Sequence, residues 1–171
     1  MLIILSGLLL LCFIIATIDT KSFGLFCQKR VGQYGKLFII YKLKTINPKT
    51  SKISRIGCFF RNSKLDELPQ LVNIVKGEMS FVGPRPDIEG YYDKLEGENR
   101  KILALKPGLT SLASIKYAQE EAILANQNNP LKYNDEVIFP DKIKMNLDYY
   151  YTHSFFVDLK IILKTIFRYE K

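Results

Sequence analysis

SKLDELPQLVNIVKGEMSFVGPRP, residues 63–86, is the stretch from which the rest of the chain is read. Asp66 and Glu67 stand side by side near its start. Leu68, Leu71, Val72 and Val75 recur at helical spacing, which predicts a short amphipathic helix. Gly77 follows, where a residue free to take positive φ ends a helix. GEMSFVGPRP then reads as an extended segment closed by a turn around Arg85. Pro69 decides where the helix starts. With Asp66 as N-cap, Pro69 falls in the first turn, where its missing N–H matters little. With Ser63 as N-cap, its ring would meet an earlier carbonyl. The first register sets both carboxylates at the positive end of a helix dipole, which favours their ionised forms. An ionised, poorly solvated Asp is a usable nucleophile. Acidic residues are also enriched at helix starts, so capping is the default reading of the pair taken alone.

The surrounding charge gives the pair a setting. Between Thr20 and Leu65 no acidic residue occurs, against eleven Lys or Arg. The net charge of +8 lies wholly in residues 1–80, and residues 81–171 balance. A negative pair behind a long positive tract suits a metal ion or a phosphoryl group, and the tract suits anionic headgroups or a phosphorylated ligand. Cys12, Cys27 and Cys58 form no CxxC pair and read as reduced packing residues rather than as a metal site. His153 is the single histidine, which excludes a multi-His centre, and it reads as a surface or packing residue rather than a catalytic one.

At 171 residues the chain is one domain, or one domain with a membrane segment. Residues 1–18 carry no charged side chain and would reach about 27 Å as a helix. A cleaved signal peptide is disfavoured by the missing basic start and cleavage site. A full span would place the body in the cytoplasm by the positive-inside rule. A re-entrant element bent at Ser6-Gly7 is the other reading, and periodicity does not separate these two. Beyond it, a turn at 32–35 leads into a strand with Phe38, Ile40 and Lys42 on one side, and Ile53–Arg61 reads as a short helix. Residues 87–105 read as helical, 109–117 as a strand or extended loop, and 119–126 as a short helix. Pro140 starts another helix. From 154 to 171, Lys160, Lys164 and Arg168 share one face of a helix whose other side is apolar. That helix suits the headgroup plane, or the domain core with a solvated basic face.

Four segments carry a resemblance: QKRVGQYGKLFIIYKLKT (28–45), SRIGCFFRNSKLDELPQL (54–71), KGEMSFVGPRP (76–86) and KPGLTSLAS (106–114). With the tail they cover nearly the whole chain. They resemble the bacterial sugar transferases of the small, monotopic phosphoglycosyl transferase type. The resemblance implies transfer of a phosphosugar from a UDP-sugar to undecaprenyl phosphate, with release of UMP and with Mg²⁺ as cofactor. It implies Asp66 as the nucleophile that carries the phosphosugar, and Asp66 with Glu67 at the metal. Glu67 either helps hold the metal or accepts a proton from the lipid phosphate. Arg85 offers a planar donor fork to phosphate oxygens, and Lys42, Lys44, Arg55, Arg61 and Lys106 are further cationic candidates. Many relatives carry an Arg after the PG-T segment where this chain has Ala118, which makes Lys116 a substitute candidate.

The expected fold is therefore α+β and helix-rich. It comprises a membrane-embedded helix over 1–20 and a catalytic body over 21–171 that ends in the amphipathic helix. The body would sit on the cytoplasmic face of the inner membrane among its lipids, and a homodimer is compatible with the sequence. A non-catalytic membrane adaptor of the same family is the rival reading; it predicts that Asp66→Ala leaves biological activity intact. A membrane-tethered nucleic-acid binder leaves DELPQ and GPRP unexplained, so no nucleic-acid partner is expected.

Overall fold

The computed structural model describes residues 2–167. In chain order the elements are α1 (Leu2–Thr20), β1 (Leu25–Val31), β2 (Leu37–Leu43), α2 (Arg55–Asn62), α3 (Leu71–Val75), β3 (Ser80–Val82), β4 (Gly108–Thr110), α4 (Leu112–Lys116), α5 (Glu120–Ala125), α6 (Pro130–Tyr133), α7 (Phe139–Thr152) and α8 (Phe155–Phe167). The class is α+β and helix-rich, as expected. Contacts divide the chain into two units, 1–30 with 38–77, and 31–37 with 78–171.

The first unit is organised on α1. Cys12, Ala16 and Thr20, four residues apart, are its buried side. Cys12 and Ala16 pack with Leu43 of β2 and Phe60 of α2, and Leu65 flanks this cluster. Leu8, Leu10, Leu11, Ile14 and Ile18 stay exposed on the helix. The chain returns over α1 at Gly24, whose N–H donates to Thr17 Oγ1 at 3.1 Å. A Cβ there would lie 2.6 Å from the Phe13 carbonyl, so only glycine permits the approach. β1 and β2 form a two-stranded sheet. Ser54 starts α2 by accepting from the Gly57 N–H, while its hydroxyl donates to Asp19 at 2.6 Å. One side chain thus caps α2 and ties it to the end of α1.

In the second unit β3 and β4 pair in parallel, Ser80 opposite Gly108 and Val82 opposite Thr110. Gly83 donates to Thr110 O and Gly108 to Pro84 O, which brings the GPRP and KPG turns together. A Cβ on Gly108 would sit 2.1 Å from Gly83 N, so the two backbones touch only because both residues are glycine. One core contains Val31, Tyr92, Leu95, Ile102, Leu103 and Ile143. A second joins Val82, Tyr149 and Ile161, and so seats α7 and α8 on β3.

Several elements differ from the sequence expectation. Helix α1 is continuous through Ser6 and Gly7, where one of the two sequence readings placed a re-entrant bend. Among the described residues no helix is long and apolar enough to cross a membrane. Residues 87–105 form two short 3₁₀ turns, Tyr92–Lys94 and Gly97–Ala104, instead of one α-helix. Residues 109–117 divide into β4 and α4, because Ser111 and Ser114 form a reciprocal capping box that nucleates the helix. The helix expected from Pro140 begins earlier, through α6 and a π turn at Asn134–Ile138. Pro140 has no N–H for the Glu136 carbonyl and its ring displaces it, so the wider turn falls just before the proline. Arg168, part of the basic face read from the sequence, lies outside the described residues.

Candidate active site

The dyad lies in the first unit, on a 3₁₀ helix over Leu65–Gln70 that continues directly into α3. Its N-cap is Lys64, in the left-handed region at φ 57°, and Asp66 does not cap it. The reason is local. Lys64 O accepts from Glu67 N, so the turn starts two residues earlier than the Asp66 register requires. A 3₁₀ turn then carries the chain past Pro69, which has no N–H to contribute. Left-handed backbone is unfavourable for a lysine, and strain of this kind is held where surrounding contacts over-determine the chain.

The spacing of three turns polar side chains inward. Glu67, Gln70 and Asn73 are 6%, 3% and 0% exposed, whereas Val75 is 82% exposed. The amphipathic helix expected from Leu68, Leu71, Val72 and Val75 is therefore inverted: Val72 and Val75 face out. Polar groups pack inward because β2 offers them partners. Lys42 Nζ meets Glu67 Oε1 at 3.2 Å. Asn73 Nδ2 donates to Ile39 O at 2.7 Å, and Tyr41 N donates to Asn73 Oδ1 at 3.4 Å.

Asp66 is partly buried, and its Oδ1 is buried with no hydrogen-bond partner. Burial, and then the neighbouring Glu67 charge, raise its pKa, while Lys42, Lys64 and Arg61 pull the other way. The expected bias towards ionisation from a helix dipole is thus outweighed in this six-residue 3₁₀ turn. Chemically, the arrangement is a carboxylate with one oxygen unengaged, set among three cations. Such a group can attack an electrophilic phosphorus whose oxygens the cations neutralise.

Lys42, Arg61, Asp66 and Glu67 are brought together in this unit, with Arg61 Nε held by Thr45 Oγ1 at 3.0 Å. Lys44 follows β2, its N–H donating to Gly24 O, and Arg55 is exposed at the first residue of α2. Arg85, Lys106 and Lys116 belong to the second unit. Arg85 is exposed and borders a shallow surface depression lined also by Pro84, Pro86, Tyr92, Leu103 and Pro107. Lys106 is exposed at the turn that meets Gly83. Lys116 is paired with Asp141 at 2.7 Å, and Tyr117 donates to the same oxygen. Those two hydrogen bonds hold the Asp141 carboxyl below its usual range. Lys64 and Asn73 are site residues that the sequence pattern does not single out. Nothing in a pattern marks a lysine as left-handed, but Asn73 inside the run LVNIV carried a signal, since a polar residue in an apolar helix needs a partner.

The family model described as Bacterial sugar transferase matches residues 1–171. The chain is 31% identical to the UDP-glucose:undecaprenyl-phosphate glucose-1-phosphate transferase of Caulobacter vibrioides, over 94% of this chain and 62% of that protein. It is 31% identical to the galactosyl transferase CpsE of Streptococcus agalactiae, over 84% of this chain and 34% of that protein. It is 32% identical to the uncharacterized sugar transferase EpsL of Bacillus subtilis, over 92% and 76% respectively. The chain thus spans between about a third and three quarters of the length of these curated relatives.

Proposed function

The chain belongs to the bacterial sugar transferase family, and we propose that it moves a phosphosugar from a UDP-sugar to undecaprenyl phosphate through a covalent intermediate on Asp66. The observation that carries this reading is the buried Oδ1 of Asp66, without a hydrogen-bond partner and amid Lys42, Lys64 and Arg61. Asp66 attacks the phosphorus that bears the sugar; a P–O bond forms, and the bond to UMP breaks with its electron pair leaving on UMP. An oxygen of the lipid phosphate then attacks the same phosphorus, and the Asp66 carboxylate leaves. Lys42, Lys64 and Arg61 offset the repulsion between carboxylate and diphosphate. For Arg85 and Lys106 the role proposed is contact with phosphate oxygens.

Mg²⁺ fits the donor set. Asp66 brings a hard oxygen with no partner, and Glu67 is its neighbour. Among the described residues no group of three or more His, Cys, Asp or Glu forms a metal cage. That suits a cation held by one or two carboxylates and completed by water and phosphate oxygens. Bound there, it would supply charge neutralisation at the phosphates. Contact with the cytoplasmic leaflet is proposed for the exposed apolar side chains of α1 and for Phe155, Phe156, Ile166 and Phe167 of α8; flotation with liposomes of anionic lipid reads it directly.

The deciding assay is UMP release from a panel of UDP-sugars with Mg²⁺ and undecaprenyl phosphate. Release with one donor, lost on chelation and in Asp66→Asn, is the expected result. Undiminished release in Asp66→Asn would refute the covalent route. Biological activity that survives in Asp66→Ala would support the adaptor reading.

A further inference from the structure

We propose that Asn73 is a positioning residue for the active site: it locks β2 so that Lys42 is delivered to Glu67. This deepens the reading of the dyad given above and rests on it for its catalytic consequence.

In a strand, backbone groups of residues two apart point to the same edge. Ile39 C=O and Tyr41 N–H are such a pair on β2, and Asn73 engages both, donating at 2.7 Å and accepting at 3.4 Å. A primary amide carries one donor and one acceptor group in a plane, as a peptide does, so Asn73 stands in for a missing neighbouring strand. It is fully buried, in a helix of otherwise apolar residues, where an amide is retained only if its hydrogen bonds are made. The next residue of β2 after Tyr41 is Lys42, whose ammonium reaches Glu67 Oε1 at 3.2 Å. Glu67 lies six residues before Asn73 on the same buried side, on the 3₁₀ turn that runs into α3. The amide clamp and the ion pair are therefore two rungs between the same strand and the same helical segment. A one-residue slip of β2 would turn Lys42 to the opposite face. Asn73 touches no reacting atom; it acts through Lys42.

The test separates positioning from general stability by reading Lys42 itself. Lysine acetylation rates, measured site by site by mass spectrometry, are compared in wild type, Glu67→Gln, Asn73→Ala and the isosteric Asn73→Asp. Expected is a rise at Lys42 of about tenfold in Asn73→Ala, matching Glu67→Gln, with Lys49 and Lys52 unchanged. UMP release adds a double-mutant cycle with Lys42→Met. Expected is a loss in Asn73→Ala/Lys42→Met no greater than in Lys42→Met alone, because the Asn73 effect runs through Lys42. Unchanged Lys42 labelling in either folded Asn73 variant, or additive losses in the cycle, would overturn the proposal. Collapse of both variants would show that Asn73 holds the whole fold and would equally overturn it. If wild type releases no UMP with any donor, the transferase reading fails, while the labelling arm still decides the role of Asn73.

Discussion

Asp66→Asn is expected to abolish activity and at the same time to stabilise the protein. The cost of the native carboxylate can be followed from its surroundings. A buried polar atom left without a hydrogen-bond partner costs about 1–3 kcal/mol and more when it is charged, and the share due to the charge is what the Asn amide removes. The adjacent Glu67 charge adds to this, and attraction from Lys42, Lys64 and Arg61 offsets part. A net penalty of about 1 kcal/mol is a reasonable balance for a site screened by partial exposure. Because the folded-state pKa of Asp66 is raised, the folded chain holds the proton more tightly than the unfolded chain. The penalty is therefore absent below the unfolded Asp range, grows as pH rises through the titration, and is complete above the folded pKa. Replacement by Asn should raise the melting temperature at neutral pH by about 2–4 °C, for a chain of this size. The gain should vanish in acid, where Asp66 is protonated in both states. Thermal melts of both proteins across a pH series, run beside the UMP assay, measure this. An Asn variant that melts at or below wild type at neutral pH, or a gap independent of pH, would refute the reasoning.

Further predictions follow from neighbouring residues. Lys42→Met removes a charge that lowers the Asp66 pKa, so the acid limb of the pH–rate profile should move to higher pH and kcat should fall about tenfold or more. At Lys64, the left-handed backbone makes Gly the tolerated replacement; Lys64→Val should lose about 1–2 kcal/mol by denaturant titration and Lys64→Gly should not. Gly108→Ala should cost about 3 kcal/mol or more, or leave the chain insoluble, because its Cβ would lie 2.1 Å from Gly83 N; a melt within a degree or so of wild type would contradict the close approach.

Much of the architecture was legible in the residues. The short helix read over Ile53–Arg61 and found at Arg55–Asn62, Gly77 as a stop at φ 76°, the strand carrying Ile40 and Lys42, and the acidic pair within a basic tract all read correctly from local pattern. These are short-range effects of backbone freedom, side-chain periodicity and charge, which act within a turn or two of chain. The motif segments likewise identified the family before any geometry was known. Tertiary structure decided the rest. Periodicity assigned Val72 and Val75 inward, yet the backbone edge of β2 and the Lys42 ammonium supply polar partners that make Glu67 and Asn73 the buried residues instead. The protonation bias of Asp66 was likewise set only in part by its sequence neighbours Glu67 and Lys64. It depends on how far water is excluded and on Lys42, a residue on another element, and both exist only once β2 and the 3₁₀ turn are packed together.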